Sequence, residues 1–298
     1  MTGPVFLVMP QWQGSPSSRA MQLIDGAAAI KEDLPESARR EVPVPLEAGD
    51  ALGTPAARLS SLLRARASAL EILRELEGPA ITLGGDCAST LPGLERVVER
   101  HGAERVAVLW FDAHPDLQHP STSPSGAVSG MALRHALGDG IDDLAFPDPV
   151  GATHVTLVGS RAIDDEEDLE LERRELHRIG HIFDATVDVE PDPAPLAAAV
   201  RDRLEDLVRD HGVSHVYVHV DLDVLDPSEF AAVHAPVPFG LSVAQLTAAI
   251  RAATETVPLA GAAVCEFAPA DRAAADEDLP TVLRVLAALT ARSRNDGA

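Results

Sequence analysis

Short apolar runs alternate with longer amphipathic stretches along most of this chain. The runs at residues 5–9, 80–83, 105–111, 154–158, 181–183, 214–220 and 262–265 are apolar at nearly every position, and a weaker one falls at 41–44. That pattern predicts strands buried on both faces. Between them, residues 56–76, 91–101, 130–137, 166–179, 195–211, 243–254 and 279–293 carry apolar positions at helical spacing. Strands separated by helices predict an α/β fold, a parallel sheet covered on both sides. With no internal repeat and no dividing linker, the 298 residues read as a single domain, 1–298.

Composition narrows the chemistry. Aromatics make up 3% of residues, so the core must rest on Val, Leu, Ile and Ala. The net charge of −23, from 47 acidic against 24 basic residues, argues against nucleic acid or an anionic membrane as partner. A cationic small molecule meets no such barrier. Two cysteines, Cys87 and Cys265, do not make a disulfide framework, and the first ten residues lack a basic, cleavable leader; both point to the cytoplasm. No apolar run reaches the roughly 20 residues that a bilayer requires.

Three polar clusters follow strand-like runs: Leu83-Gly84-Gly85-Asp86-Cys87, Asp112-Ala113-His114-Pro115-Asp116 and His219-Val220-Asp221-Leu222-Asp223. Residues two apart on a strand share a face, so Asp112, His114 and Asp116 can converge, as can Asp221 and Asp223. Carboxylates gathered that closely repel one another unless a cation holds them. The ligand set exceeds what one ion needs and suits two divalent ions sharing carboxylates. Taken singly, several members have simpler readings: Cys87 an inert buried thiol, His219 a packed or supporting histidine, Glu266 half of a salt bridge at a sheet end, Asp164 a helix cap. The Pro- and Ser-rich stretches 115–129 and 224–240 follow two of the clusters and are expected to wall the pocket.

The order of motifs is similar to that of the ureohydrolase (arginase/agmatinase) superfamily. It runs Gly84-Gly85-Asp86-Cys87, Asp112-Ala113-His114-Pro115-Asp116, Ser123-Pro124-Ser125-Gly126 with Gly130-Met131, Gly159-Ser160-Arg161 with Asp164, Asp221-Leu222-Asp223 and Cys265-Glu266-Phe267. The resemblance implies a three-layer α/β/α fold with a parallel sheet of about eight strands. It implies two divalent ions, Mn²⁺ foremost, and a hydroxide between them. One ion would take Cys87, Asp112, Asp116 and Asp221, the other Asp112, His114, Asp221 and Asp223. Asp116 would steer the hydroxide proton and Glu266 would hold a guanidino group. Gln118, Ser123, Ser125 and Asp164 would contact an α-amino acid head group. The family also implies a homo-oligomer.

Two positions depart from the usual pattern. Cys87 stands where the family places His, and a thiolate shifts preference toward Zn²⁺, Fe²⁺ or Co²⁺. Ser129 stands where arginase-type enzymes carry a proton-shuttling His, and serine does not titrate near neutral pH. Members that act on Nω-hydroxyarginine look similar on both counts. The expected function is therefore a binuclear-metal hydrolase of a guanidino amino acid of the arginine or Nω-hydroxyarginine type, releasing urea or a substituted urea. A non-catalytic metal-binding member and a formimino- or agmatine-type hydrolase are the alternatives.

Overall fold

The computed structural model describes residues 4–162, 169–185 and 191–291. Eight parallel strands form one sheet: β1 (Val5–Met9), β2 (Arg39–Glu41), β3 (Ala80–Gly84), β4 (Val106–Phe111), β5 (Val155–Val158), β6 (His181–Phe183), β7 (His215–Asp221) and β8 (Leu259–Cys265). Their order across the sheet is β2-β1-β3-β8-β7-β4-β5-β6. Seven strands share three or more residues with the apolar runs. The exception is β2, which pairs Arg39–Glu41 with β1 and leaves apolar Val42 just beyond the strand. An edge strand is paired on one side only and needs little apolar character, so hydrophobicity misplaces it.

The helices are α1 (Gln22–Glu32), α2 (Leu59–Arg74), α3 (Leu91–His101), α4 (Ala132–Ala136), α5 (Glu170–Leu176), α6 (Pro193–His211), α7 (Val243–Thr256) and α8 (Arg272–Leu289). Ile30 of α1 and apolar residues of α6, α7 and α8 pack with Leu109, Phe111, Val218, Val220 and Val264. Side chains of α2, α3 and α4 pack with Val108, Trp110, Tyr217, Ala263 and Cys265 on the opposite face. These are the three layers that the alternation predicts.

α1 has no counterpart among the predicted helices. Its start lacks a side-chain cap and its middle holds Gly26, both poor helix signals. Yet Leu23, Gly26, Ala27 and Ile30 form a buried stripe. A Cβ on Gly26 would lie 2.0 Å from the Phe267 carbonyl oxygen, so the glycine lets α1 press against the turn that carries Glu266. α8 begins before its predicted start, capped by Asp271, and runs through Pro280. Of the stretch predicted as helical at 166–179, residues 166–168 lie outside the described residues.

Strand order sets the site. β1 to β3 build one half of the sheet and β4 to β6 the other; β7 and β8 then enter between β3 and β4. The chain direction across the sheet reverses there, and in open parallel sheets ligands bind beyond the carboxyl ends at such a point. The four adjacent central strands β3, β8, β7 and β4 end at Cys87, Glu266, Asp221 and Asp112 or within three residues of them.

Candidate metal centre

Each central strand delivers its side chains through a tight turn. After β3, a Cβ on Gly85 would lie 1.5 Å from the Gln11 carbonyl oxygen. Close approach, not positive φ, is what these glycines supply. Asp86 accepts from Gln11 Nε2 at 3.0 Å, from the Gly14 amide at 2.8 Å and from the Ala88 amide at 3.0 Å. Those bonds cap the turn that presents Cys87 and tie it to the loop after β1. Burial nevertheless pushes the Asp86 carboxyl up to about 7. After β4 and β8 the backbone itself is strained: Asp116 has φ of 50° and Glu266 has φ of 65°. Non-glycine residues in that region cost free energy and persist where surrounding structure demands a particular side-chain direction.

The donor atoms converge. Cys87 Sγ donates to Asp221 Oδ2 at 2.9 Å. His114 Nδ1 lies 2.9 Å from Asp223 Oδ2 and 3.6 Å from Asp112 Oδ1. Three overlapping groups each hold their donor atoms within 4.8 Å of one another: Cys87, Asp112, Asp116 and His219; Cys87, Asp221 and Glu266; and Asp112, His114 and Asp223. All four aspartates and Glu266 are buried. Burial and the neighbouring carboxylates hold Asp116 and Asp221 well above the ordinary carboxylate range, and Asp112 is pushed up to about 7. Asp223 is lowered instead, despite its burial, by hydrogen bonding to His114, whose imidazole is raised to about 11 by Asp112 and Asp223.

Among the described residues, no Lys or Arg forms an ion pair with the four aspartates; their basic neighbours are His114 and His219. Asp116 Oδ2 is buried without a hydrogen-bond partner. An orphaned acceptor amid like charges is what a cation would relieve. Oxygen donors dominate, with one imidazole and one sulfur, and two divalent ions fit that set.

Further residues support the cluster. Trp110 Nε1 donates to Asp112 Oδ2 at 3.1 Å, and the Trp110 ring stacks on His219 at 3.7 Å between centroids. The His219 ring is fully buried, burial depresses its pKa to about 3, and neither nitrogen has a hydrogen-bond partner. Backbone amides hold the aspartates: His114 N to Asp112 at 2.7 Å, Ala113 N to Asp223 at 3.1 Å and Asp223 N to Asp221 at 2.8 Å.

Above the cluster opens a cavity of about 1090 Å³. Gln118, Ser125 and Ser129 line it, as do Cys87, His114, Asp116, Asp221, Asp223 and Glu266. Ser123 is not among the lining residues; its hydroxyl donates to Gln118 Oε1 at 2.9 Å and so orients that side chain. Asp164 lies outside the described residues. Sequence reasoning passed over Trp110, Glu172 and His234. Glu172, on the cavity wall, accepts from the His119 amide at 2.8 Å and from the Thr122 hydroxyl. His234 sits beside Glu266, its Nδ1 3.7 Å from Glu266 Oε2. Nothing at sequence level marks it, because it lies in an irregular loop with no spacing to the acids it meets.

Residues 21–288 match the family model described as the arginase family. The chain belongs to the arginase family. Members of this family are hydrolases acting on C–N bonds of linear amidines, and so is this chain. It is 31% identical over 285 residues to an N(omega)-hydroxy-L-arginine amidinohydrolase from Streptomyces lavendulae, covering 92% of this chain and 94% of that one. In fold it is similar to Entamoeba histolytica arginase in complex with L-ornithine, with a TM-score of 0.79, 22% identity, and coverage of 97% of this chain and 98% of that one. Arginase from Bacillus subtilis gives a TM-score of 0.78 at 21% identity, covering 98% of this chain and all (100%) of that one.

Proposed function

We propose that this arginase-family chain hydrolyses a guanidino amino acid of the Nω-hydroxyarginine or arginine type, with two divalent ions, Mn²⁺ foremost, bound among Cys87, Asp112, His114, Asp116, Asp221 and Asp223. The observation that carries this reading is the identity with the Streptomyces lavendulae amidinohydrolase over 92% of the chain, joined to a complete converging ligand set. Asp112 and Asp221, central to that set, would help hold the ions beside Cys87, His114, Asp116 and Asp223. The sulfur of Cys87 widens the choice of metal toward Zn²⁺, Fe²⁺ and Co²⁺. The protein acts as a single domain, in the cytoplasm, as a homo-oligomer.

Bound there, the two ions supply Lewis acidity that makes water nucleophilic near neutral pH. The protein's own groups do the rest. Glu266, held at the cavity floor by its strained backbone, accepts N–H donors of the guanidino group and fixes its carbon over the cluster. Water adds to that carbon, the C–N bond to the departing amine breaks, and urea or a substituted urea is left. Asp116 Oδ2, the acceptor without a partner, takes the proton from water and returns it to the amine nitrogen. Gln118, Ser125 and Ser129 face the cavity, and with Ser123 and Asp164 they bind the α-amino and carboxylate groups.

The test is metal analysis of the purified protein followed by steady-state kinetics on three compounds. The expected order of kcat/KM is Nω-hydroxyarginine, then arginine, then agmatine, which lacks the carboxylate. Agmatine as the best substrate would overturn the head-group assignment.

A further inference from the structure

The floor of the cavity presents two acceptors side by side. One is Glu266 Oε2. The other is His234 Nδ1, 3.7 Å away, with the two side chains 10% and 6% exposed. The imidazole's protonated nitrogen can be placed from its neighbours. Gln22 Nε2 donates to the Ala270 carbonyl at 3.4 Å, which turns Gln22 Oε1 toward His234 Nε2, 3.3 Å away. An amide oxygen only accepts, so Nε2 carries a hydrogen, and in the neutral imidazole Nδ1 is then the acceptor. Nδ1 has no hydrogen-bond partner and is buried. At 3.7 Å the imidazole and carboxylate are too far apart to bond each other.

The loop that carries His234 is fixed. The Arg161 guanidinium donates to the carbonyls of Asp223 at 2.9 Å, Pro238 at 3.0 Å and Val237 at 2.7 Å, pinning the segment after β7 at both ends. Glu266 is held by its own turn and by α1. Both residues line the cavity. A ligand that satisfies them needs two donors on neighbouring atoms. A guanidino N–H ends at the nitrogen that Glu266 holds. An N–OH carries its donor one atom further, across the gap to Nδ1.

We propose that His234 is a specificity-determining residue, whose Nδ1 accepts the hydroxyl of an N-hydroxylated guanidine while Glu266 holds the adjacent N–H. This rests on the guanidino-hydrolase reading above and adds the residue that distinguishes the hydroxylated compound from the plain one. A site built to bond a substrate hydroxyl discriminates against the analogue lacking it, because its buried acceptor is then left unpaired.

The experiment compares wild type, His234→Ala and His234→Asn, all metal-loaded, on Nω-hydroxyarginine and arginine. In His234→Ala, kcat/KM for Nω-hydroxyarginine falls by about 10-fold more than for arginine, the loss of one buried hydrogen bond. His234→Asn, which can return an acceptor near the position of Nδ1, recovers part of the difference. A merely structural role would lower both compounds alike, and that result, or no change in their ratio, overturns the proposal. If the wild type turns over neither compound, the guanidino-hydrolase reading has failed, and the same comparison is made by calorimetric binding. Tighter binding of Nω-hydroxyarginine than arginine, levelled by His234→Ala, then supports the role of His234. Equal binding, or none, overturns it.

Discussion

Cys87 Sγ donates to Asp221 Oδ2 across 2.9 Å, a bond that reaches from the end of β3 to the end of β7 over the strand between them. The donor is a thiol because burial, together with Cys265, Asp221, Asp116 and Glu266, pushes its pKa up. A metal ion ligated by Cys87, as proposed, would have to displace that proton. Titration of metal into the metal-free protein at pH 7, in buffers of different ionisation enthalpy, should show proton release. Cys87→Ser should release about one proton fewer. With Co²⁺, the wild type should also show a thiolate-to-metal charge-transfer band that Cys87→Ser lacks. Identical proton counts and spectra would show Cys87 to be a bystander.

Asp221 touches both halves of the cluster, bonding Cys87 through Oδ2 and the Asp223 amide through Oδ1. Asp221→Ala should lose most of the bound metal, by elemental analysis against two ions in the wild type. Its melting temperature should no longer rise with added metal, since only binding to the folded state stabilises it. An Asp221→Ala protein that keeps its full metal content would end the binuclear assignment.

The crowded acids give the metal-free protein a characteristic pH dependence. Asp112 and Asp86 have folded-state pKa values raised from 3.8 to about 7. The folded state then binds more protons than the unfolded one between those limits, so stability is greatest below pH 4 for these groups and falls as pH rises toward 7. His114, raised from 6.5 to about 11, contributes stability that is present below 6.5 and lost as pH climbs through 11, the same direction. His101, His135 and His219, depressed by burial to between about 3 and 4, act in the opposite sense over this range. The acids of the cluster are therefore read through the metal: the rise in melting temperature on adding metal should widen as pH goes from 4 to 7, because only the metal-free protein loses the contribution of Asp112. A gain that narrows over that range would contradict this account.

Trp110 holds one oxygen of Asp112 through its indole N–H. Trp110→Phe keeps an aromatic ring over His219 and removes the donor. Metal affinity, measured by competition with a chelator, should weaken by roughly 10-fold. The melting temperature of the metal-free variant should move far less than that of the loaded one. Unchanged affinity would leave Trp110 with a packing role alone.

Much of this centre was legible in residue order. Apolar runs marked the strands and strand ends marked the pocket; Asp112 and Asp116, and Asp221 and Asp223, gather there as expected, but through the turns after β4 and β7 and not through strand alternation. What escaped depended on contacts between distant segments. α1 hides its buried stripe in Ala and Gly, whose burial reads weakly from composition. β2 is polar because it is an edge. The Trp110–His219 stack joins residues that are register partners on β4 and β7, a pairing visible only once strand order is known. His234 meets Glu266 through loop geometry, which no spacing rule reports.

The insertion of β7 and β8 between β3 and β4 also bears on how the protein is made. As the chain grows, Asp112, His114 and Asp116 appear early, at the end of β4. Asp221, Asp223 and Glu266 follow more than a hundred residues later, on the strands that complete the middle of the sheet. Until then β3 and β4 each present an open edge toward the other, and closing that gap requires contacts of large sequence separation, the slow kind. An ion that arrives before β7 and β8 meets an incomplete set of ligands. On the proposed ligand set, loading both ions would be tied to the last steps of folding, and a filled centre would certify a finished sheet.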